Sequence, residues 1–254
     1  MTTDPATAGS LYKLCPRCQH IYPAGNRFCP RDSAELIADS RILAGKFILL
    51  RQIGEGNMGA VYEAEQPQIG RKVAVKILRT DPEVMLRFER EVHSAGALNH
   101  AHVVTIYDSG ITEDGRGYIA MEYLEGESLA SLLERQPPLS PASALELWIP
   151  VVRAMSAAHA KGIIHRDLKP DNVFVTRDGR IVVLDFSAAK FLTHDLRTTK
   201  PPEMTCTVAY APPELLQGEQ ADARIDVYSL GLMLWQMRAG FHPFERHFGK
   251  GYAL

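Results

Sequence analysis

Ten residues constrain this chain more than any others: Ile163-Ile164-His165-Arg166-Asp167-Leu168-Lys169-Pro170-Asp171-Asn172. Ionisable side chains crowd between apolar ones, and Pro170 cannot continue a regular helix. A solvated loop is the ordinary reading of such a composition. It fits poorly here, because two consecutive isoleucines lead into the charges. Further on, Leu184-Asp185-Phe186 ends an apolar run with a carboxylate. Asp185 and the side-chain amide of Asn172 are oxygen donors of the kind that hold magnesium.

Before this loop the chain is strand-rich, and after Gly126 it turns mostly helical. FILLRQI, AVYEAEQ and KVAVKIL, beginning at Phe47, read as three short strands parted by Gly-containing turns, and VVTIYDS and GYIAMEY as two more. Pro82 to Leu98 follows a helical period, with Val84, Leu86, Phe88, Val92 and Ala95 set among Glu and Arg. Ser140-Pro141 predicts a helix start, the helix reaching Lys161 with Gly162 just past its end. VFV and IVVL predict a hairpin near Asp178-Gly179. Asp226 to Ala239 reads as an apolar, buried helix.

Two features of the strand-rich half carry chemistry. Gly54-Glu55-Gly56-Asn57-Met58-Gly59 lies between the first two strands. Glycines let a backbone approach phosphates and offer them N–H groups; a plain hairpin turn explains them equally well. A strand follows rather than a helix, which argues against a dinucleotide-binding turn. Val73-Ala74-Val75-Lys76 then sets one Lys in an apolar strand. Alternation puts Val73 and Val75 on the face opposite to Ala74 and Lys76. A buried Lys needs a carboxylate partner, and Glu91 and Glu89 are the candidates.

Near the N-terminus, Cys15-Pro16-Arg17-Cys18 is nearly repeated as Cys29-Pro30-Arg31-Asp32. Thiolate and carboxylate are both anionic zinc donors, and the repeat puts Asp32 where the first copy has Cys18. Cys15, Cys18, Cys29 and Asp32 therefore form a candidate zinc set with ribbon spacing. The alternatives are a Cys15–Cys18 or Cys18–Cys29 disulfide, or a fourth position filled by water or His20. Four donors leave no open position, so such a metal is structural, or part of a docking module for a partner protein.

Composition excludes other classes. A net charge of −2 gives no bulk attraction for nucleic acid, and the basic residues of the Cys-rich unit lack interleaved aromatics. No apolar run approaches bilayer-spanning length. No secretory signal is visible in MTTDPATAGS, and four cysteines are too few for a secreted disulfide scaffold. A cytoplasmic setting is expected.

Taken in order, the Gly-rich loop, VAVK, a helix Glu, HRDLKPDN, an Asp-Phe pair and Ala211-Pro212-Pro213-Glu214 resemble the eukaryotic-type protein kinases over residues 47–254. Lys169, two residues after Asp167, is similar to the serine/threonine-specific members. The compact loops and the Cys-rich leader, itself similar to small bacterial zinc ribbons, resemble the bacterial signalling kinases. The resemblance implies an α+β, two-lobed fold. An N-lobe at 47–122 would hold an antiparallel sheet and one helix, a hinge would lie at 123–126, and a mainly helical, partial C-lobe at 127–254. A disordered leader (1–10), the ribbon (11–37) and a linker (38–46) would precede them.

The same resemblance implies ATP and Mg²⁺ as cofactors and protein Ser/Thr hydroxyls as phosphoryl acceptors. Gly54, Gly56 and Gly59 would cover the phosphates. Lys76 would bind the α- and β-phosphates and pair with Glu91. Asp167 would accept the substrate hydroxyl proton, and Lys169 would steady the γ-phosphate. Asn172 and Asp185 would ligate Mg²⁺. Ile53, Val61 and Ala74 would line the nucleotide site, Met121 the back of the adenine pocket, and Glu122 and Leu124 would offer backbone hydrogen bonds to the base. Asp226 would brace the catalytic loop, and Thr207 would sit where the substrate loop rests. All of this would meet in one cleft between the lobes. Arg166 would receive a phosphate placed by autophosphorylation at Thr198, Thr199 or Thr205, out of a segment that also offers Ser187, Thr193 and Thr207.

Three departures from the family pattern stand out. Ser187 occupies the position of the Gly that follows Asp-Phe, Cys206 precedes Thr207, and the sequence stops at Leu254. The family's Arg partner for Glu214 would come later, so Glu214 is expected to be a buried carboxylate without it, and the 226–239 helix to lose cover. Ser187 and the early stop favour the alternative function, a pseudokinase or scaffold that binds nucleotide or proteins without efficient phosphoryl transfer; the early stop fits a fragment of a longer product equally well, and Cys206 reads as a small apolar filler.

Overall fold

The computed structural model describes residues 12–56, 59–79, 98–136, 138–186, 208–217 and 222–244. The predicted helix at 82–98 lies almost wholly outside the described residues, and the activation-segment threonines and Ser187 wholly outside. The chain divides into two units, Met1–Leu86 with Ile106–Tyr123, and Arg87–Thr105 with Leu124–Leu254.

In the first unit β1 (Tyr12–Leu14), β2 (Ile21–Pro23) and β3 (Ile37–Ala38) form a small antiparallel sheet in the order β2-β1-β3. Its core is Cys15, Cys29 and Leu36, flanked by Cys18, Tyr22 and Ala34. A second, six-stranded sheet follows: β4 (Ile42–Leu43), β5 (Phe47–Gly56), β6 (Gly59–Gln66), β7 (Arg71–Leu78), β8 (Ile106–Ile111) and β9 (Gly117–Glu122), in the order β4-β5-β6-β7-β9-β8. The expected linker at 38–46 thus contains a strand. It turns through Ala44 and Gly45, both at positive φ (49° and 64°), with the Lys46 N–H donating to Leu43 O at 3.0 Å. That handedness matches the twist of paired strands. Gly45 is required there for a second reason, since a Cβ would lie 2.7 Å from the Tyr12 ring.

Alternation decides what the larger sheet buries. Phe47, Ala64, Val73, Val75, Ile77, Tyr118 and Ala120 form its core with Leu43, and Phe47 meets Tyr118 edge-on at 5.9 Å. Full burial of a side chain such as Phe47 contributes about 1.5–3 kcal/mol. The strand expected at 103–109 begins only at Ile106. Val103 and Val104 pair instead with Val183, Val104 N–H donating to Val183 O at 3.0 Å, so their backbone is committed to the second unit.

The second unit is mainly helical. It contains β10 (Gly126–Ser128), α1 (Leu129–Arg135), α2 (Pro141–His159), β11 (Val173–Thr176), β12 (Ile181–Val183), α3 (Pro213–Leu216) and α4 (Arg224–Ala239). Ser140 caps α2 by accepting the Ser143 N–H at 3.1 Å. The helix ends at His159, two residues before the expected Lys161, and Gly162 turns the chain at φ 72°. Helix α4 starts at Arg224, two residues earlier than expected, and closes on left-handed Gly240. Val151, Ala154, Met155 and Ala158 of α2 and Leu230, Met233 and Met237 of α4 are buried as these helices pack, and the Trp148 indole N–H donates to Leu230 O at 3.2 Å. On α4, Val227 and Trp235 are exposed.

Candidate functional site

Register brings the nucleotide-site candidates of the first unit onto one face. Val61 lies opposite Lys76 and Glu63 opposite Ala74 across β6 and β7. Ala74 in turn lies opposite Met121, and Lys76 opposite Ile119, across β7 and β9. Val73 and Val75 point into the core, so Ala74 and Lys76 take the other face. Lys76 is 6% exposed. Its proposed partner Glu91 lies outside the described residues.

The Gly-rich turn joins β5 to β6, with Gly56 opposite Gly59. Its glycines are not equivalent. A Cβ on Gly56 would meet nothing within 4 Å, whereas one on Gly59 (φ 148°) would lie 2.0 Å from Ile77 O. Gly59 is needed by the close approach of β7, and Gly56 leaves open backbone. Ile53 is 40% exposed on β5. Glu122 ends β9, and Leu124 follows Tyr123 at the boundary of the units.

In the second unit one buried carboxylate organises the charged loop. Asp226, fully buried on α4, accepts the His165 N–H (2.9 Å), the Arg166 N–H (2.8 Å) and His159 Nε2 (2.7 Å). His165, also fully buried, accepts the Asp167 N–H at Nδ1 (3.4 Å), which leaves Nε2–H to donate to Leu184 O at 2.7 Å. The His165 ring packs edge-on against Phe186 at 4.9 Å. The segments 165–167 and 184–186 are thereby locked together. Arg166 (φ 69°) and Asp185 (φ 60°) are held in the left-handed region, which costs a non-glycine residue about 1–2 kcal/mol. Such strain persists only where surrounding bonds over-determine the backbone, as the Asp226 and His165 contacts do here.

The reactive side chains converge on this frame. Asn172 Nδ2 donates to Asp167 O (2.7 Å) and Oδ2 (3.2 Å), and Lys169 Nζ lies 3.5 Å from the same Oδ2. The Leu184 N–H donates to Asn172 O at 2.8 Å, setting Asp185 one residue from that bond. With its nitrogen engaged by Asp167, Asn172 is left with Oδ1 as the atom that can meet a cation. His159 had no sequence signal beyond its place in the last turn of α2. Glu214, expected to be buried, is only half-buried in the first turn of α3 and feels the charge of Arg224. The large penalty of an uncompensated buried charge does not apply to it.

The two Cys-Pro-Arg copies close with the same pair of backbone hydrogen bonds. Cys15 N–H donates to His20 O (2.9 Å) and Gln19 N–H to Cys15 O (3.0 Å); Cys29 N–H donates to Ala34 O (2.8 Å) and Ser33 N–H to Cys29 O (2.9 Å). Gln19 (φ 55°) and Ser33 (φ 58°) close the turns in the same left-handed conformation. Donor atoms of Cys15, Cys18, Cys29 and Asp32 all lie within 4.8 Å of one another. Cys18 Sγ is 3.6 Å from Cys29 Sγ, and Cys15 Sγ is 3.4 Å from each Asp32 oxygen. With Zn–S near 2.3 Å, a tetrahedral S···S edge is about 3.8 Å, so the set fits the ion. All three cysteines are free thiols, and His20 turns away, its Nδ1 meeting Cys18 O at 3.0 Å. Outer contacts tune the donors. The Ala34 N–H holds the Asp32 carboxyl below the usual range, and burial pushes the Cys15 thiol up to about 11. At Cys29 burial acts upward, but the Tyr22 hydroxyl at 3.4 Å and the Arg31 N–H bring it below the ordinary thiol value.

The antiparallel-sheet unit bears the buried Lys and the Gly-rich turn, and the mainly helical unit bears the braced Asp-Lys-Asn loop, which is the division of a protein-kinase-type fold. Residues 47–253 match the model of the protein kinase domain, and the chain belongs to that family. It is 40% identical over 214 residues to a probable serine/threonine-protein kinase of Streptomyces coelicolor, covering 81% of this chain and 32% of that protein. It is 37% identical over 210 residues to the serine/threonine-protein kinase PknB of Mycobacterium tuberculosis (80% and 34%), and 37% over 224 to the kinase pkn3 of Myxococcus xanthus (84% and 41%). The chain spans about a third of the length of the first two of these relatives.

Proposed function

We propose that this chain transfers the γ-phosphoryl group of MgATP to Ser and Thr hydroxyls of proteins, and that its N-terminal ribbon holds one structural Zn²⁺. The observation that carries the kinase reading is the convergence of Asp167, Lys169 and Asn172 on a loop fixed by buried Asp226. Phosphoryl transfer asks chiefly for positioning and for cancellation of charge. Asp167 takes the proton of the attacking hydroxyl, and Lys169 beside it offsets charge on the transferred group. Asn172 Oδ1 and Asp185 would hold Mg²⁺, which supplies charge neutralisation between the phosphates. Lys76, on the Ala74–Met121 face, and the open backbone at Gly54 and Gly56 meet the phosphates, with Ile53 and Val61 beside the base and the backbone of Glu122 and Leu124 at its edge. Autophosphorylation at Thr198, Thr199 or Thr205 belongs to the same reading.

Cys15, Cys18, Cys29 and Asp32 would hold the zinc, supported by the equivalence of the two turns. Thiols set for a metal rather than for disulfides suit the reducing cytoplasm. Among the described residues no helix is long and apolar enough to cross a membrane. The ribbon's chemistry also suits docking of a partner protein.

Incubation with radiolabelled MgATP and a generic protein substrate tests the enzyme. Label is expected on Ser or Thr, falling at least about 10³-fold in Asp167→Asn, in line with the loss of a positioned base. Transfer that persists in the variant would refute the assignment.

A further inference from the structure

Glu63 is a buried carboxylate in the middle of β6, 7% exposed, and the chemistry above gives it no task. Three donors surround it. Arg51, opposite it in register on β5, reaches Glu63 Oε2 at 2.7 Å; Lys72 of β7 reaches Oε1 at 2.9 Å; the Tyr123 hydroxyl donates to Oε2 at 3.2 Å. Two of the donors also grip the tyrosine itself: Arg51 Nη2 lies 3.4 Å from its hydroxyl, and Lys72 Nζ sits 4.8 Å from its ring centroid. The bond to Lys72 holds the Glu63 carboxyl below its ordinary range, as an ionised acceptor requires.

The place of Tyr123 gives the cluster its meaning. It is the last residue of the first unit and stands between Glu122 and Leu124. A side chain held through its hydroxyl and its ring face fixes the rotation of its own backbone, and therefore the direction of the carbonyl before it and the N–H after it. Glu63 also lies directly opposite Ala74, so the cluster adjoins the face on which Ala74 and Met121 stand.

We propose that Glu63, with Arg51 and Lys72, is a positioning group for nucleotide recognition. It clamps Tyr123 so that the backbone of Glu122 and Leu124 is preset to the hydrogen-bonding edge of adenine, and it thereby sets the preference for ATP over GTP. The inference rests on the kinase reading and deepens it. Preorganised donors gain their worth by lowering the ordering cost of binding. Losing the clamp should cost base recognition and leave phosphate recognition, made elsewhere on the sheet, in place.

Binding of MgATP and MgGTP is measured on the full chain, wild type beside Tyr123→Phe and Glu63→Gln, together with KM and kcat for ATP. Tyr123→Phe removes one oxygen and keeps the ring, so it remains informative if Glu63→Gln fails to fold. Both variants are expected to weaken ATP about tenfold and GTP less than about twofold, with the loss in KM for ATP rather than in kcat; Glu63→Asp should recover part of the preference. An unchanged ATP-to-GTP ratio, or equal loss for both nucleotides, overturns the clamp and leaves the kinase reading intact. A wild-type chain that binds neither nucleotide overturns both.

Discussion

Two sheets in the first unit are held together by different means. The ribbon sheet β2-β1-β3 has three buried core residues, two of which, Cys15 and Cys29, are candidate metal donors. The sheet from β4 to β8 has a core cluster of eight buried residues, Phe47 and Tyr118 among them, and pairs its strands over long registers. A core of three side chains cannot offset the entropy of ordering some 25 residues, at about 1–2 kcal/mol each for the backbone alone. On the proposed zinc reading, order in the ribbon comes from bonds to the ion, whereas order in the larger sheet comes from apolar burial and its ladder. That reading makes one part of the chain addressable by metal and the other by packing.

The largest expected effect breaks the ribbon alone. Wild-type protein should carry one zinc per chain. Removal of that zinc by a chelator should abolish amide-exchange protection in β1–β3 while β5–β7 keep theirs, since binding energy is folding energy in such sites. Asp32→Ala should lose most of the metal, and Asp32→Cys, which restores the first copy's pattern, should keep it. Zinc content unaffected by Asp32→Ala would remove that carboxylate from the donor set. Protection in β1–β3 that survives without metal would remove the contrast between the sheets.

The converse change is Gly59→Ala. A Cβ at that position would lie 2.0 Å from Ile77 O, and the alanine would also inherit a φ of 148°. Neither can be relieved by a side-chain rotation, so β6 and β7 must part. A loss of about 3 kcal/mol or more is expected, in the range of strained-backbone substitutions. Thermal unfolding of the larger sheet should shift downward with zinc content unchanged. Gly56→Ala, with open space around it, should not shift it.

What the sequence discloses of these regions follows from the kind of information each needs. Alternation is local, so Val73 and Val75 facing opposite to Lys76 could be read directly, and the sheet bears it out. Capping is also local, which is why the Ser140 start of α2 and its end before Gly162 are legible to within two residues. The repeat of Cys-Pro-Arg disclosed two equivalent turns because the same short segment folds the same way twice. Contacts between distant segments left no such trace. Glu63 meets Tyr123 across 60 residues of chain, and His159 meets Asp226 across 67. No periodicity registers those pairs. Val103 and Val104 look like strand residues, and nothing local says that their partner is Val183 rather than β9. The family resemblance places Glu214 inside, whereas on the four-residue α3 it is half-exposed, an outcome of packing that the motif does not encode.

The smallest effect tests whether the two ribbon turns are equal in energy as they are in shape. Gln19 and Ser33 occupy left-handed backbone at φ 55° and 58°, each one residue past the fourth member of its copy. A side chain there costs about 1–2 kcal/mol relative to glycine, which adopts the conformation freely. Glycine gives back part of this through its greater freedom in the unfolded chain. Gln19→Gly and Ser33→Gly should therefore each stabilise the zinc-bound ribbon by somewhat under about 1 kcal/mol, read as slower release of zinc to a competing chelator by up to about fivefold. Equal gains in the two variants, adding in the double variant, are what independent and equivalent turns predict. A gain at one site only would mean that the carboxylate copy and the thiolate copy do not share the load on the metal equally, despite their matching backbone.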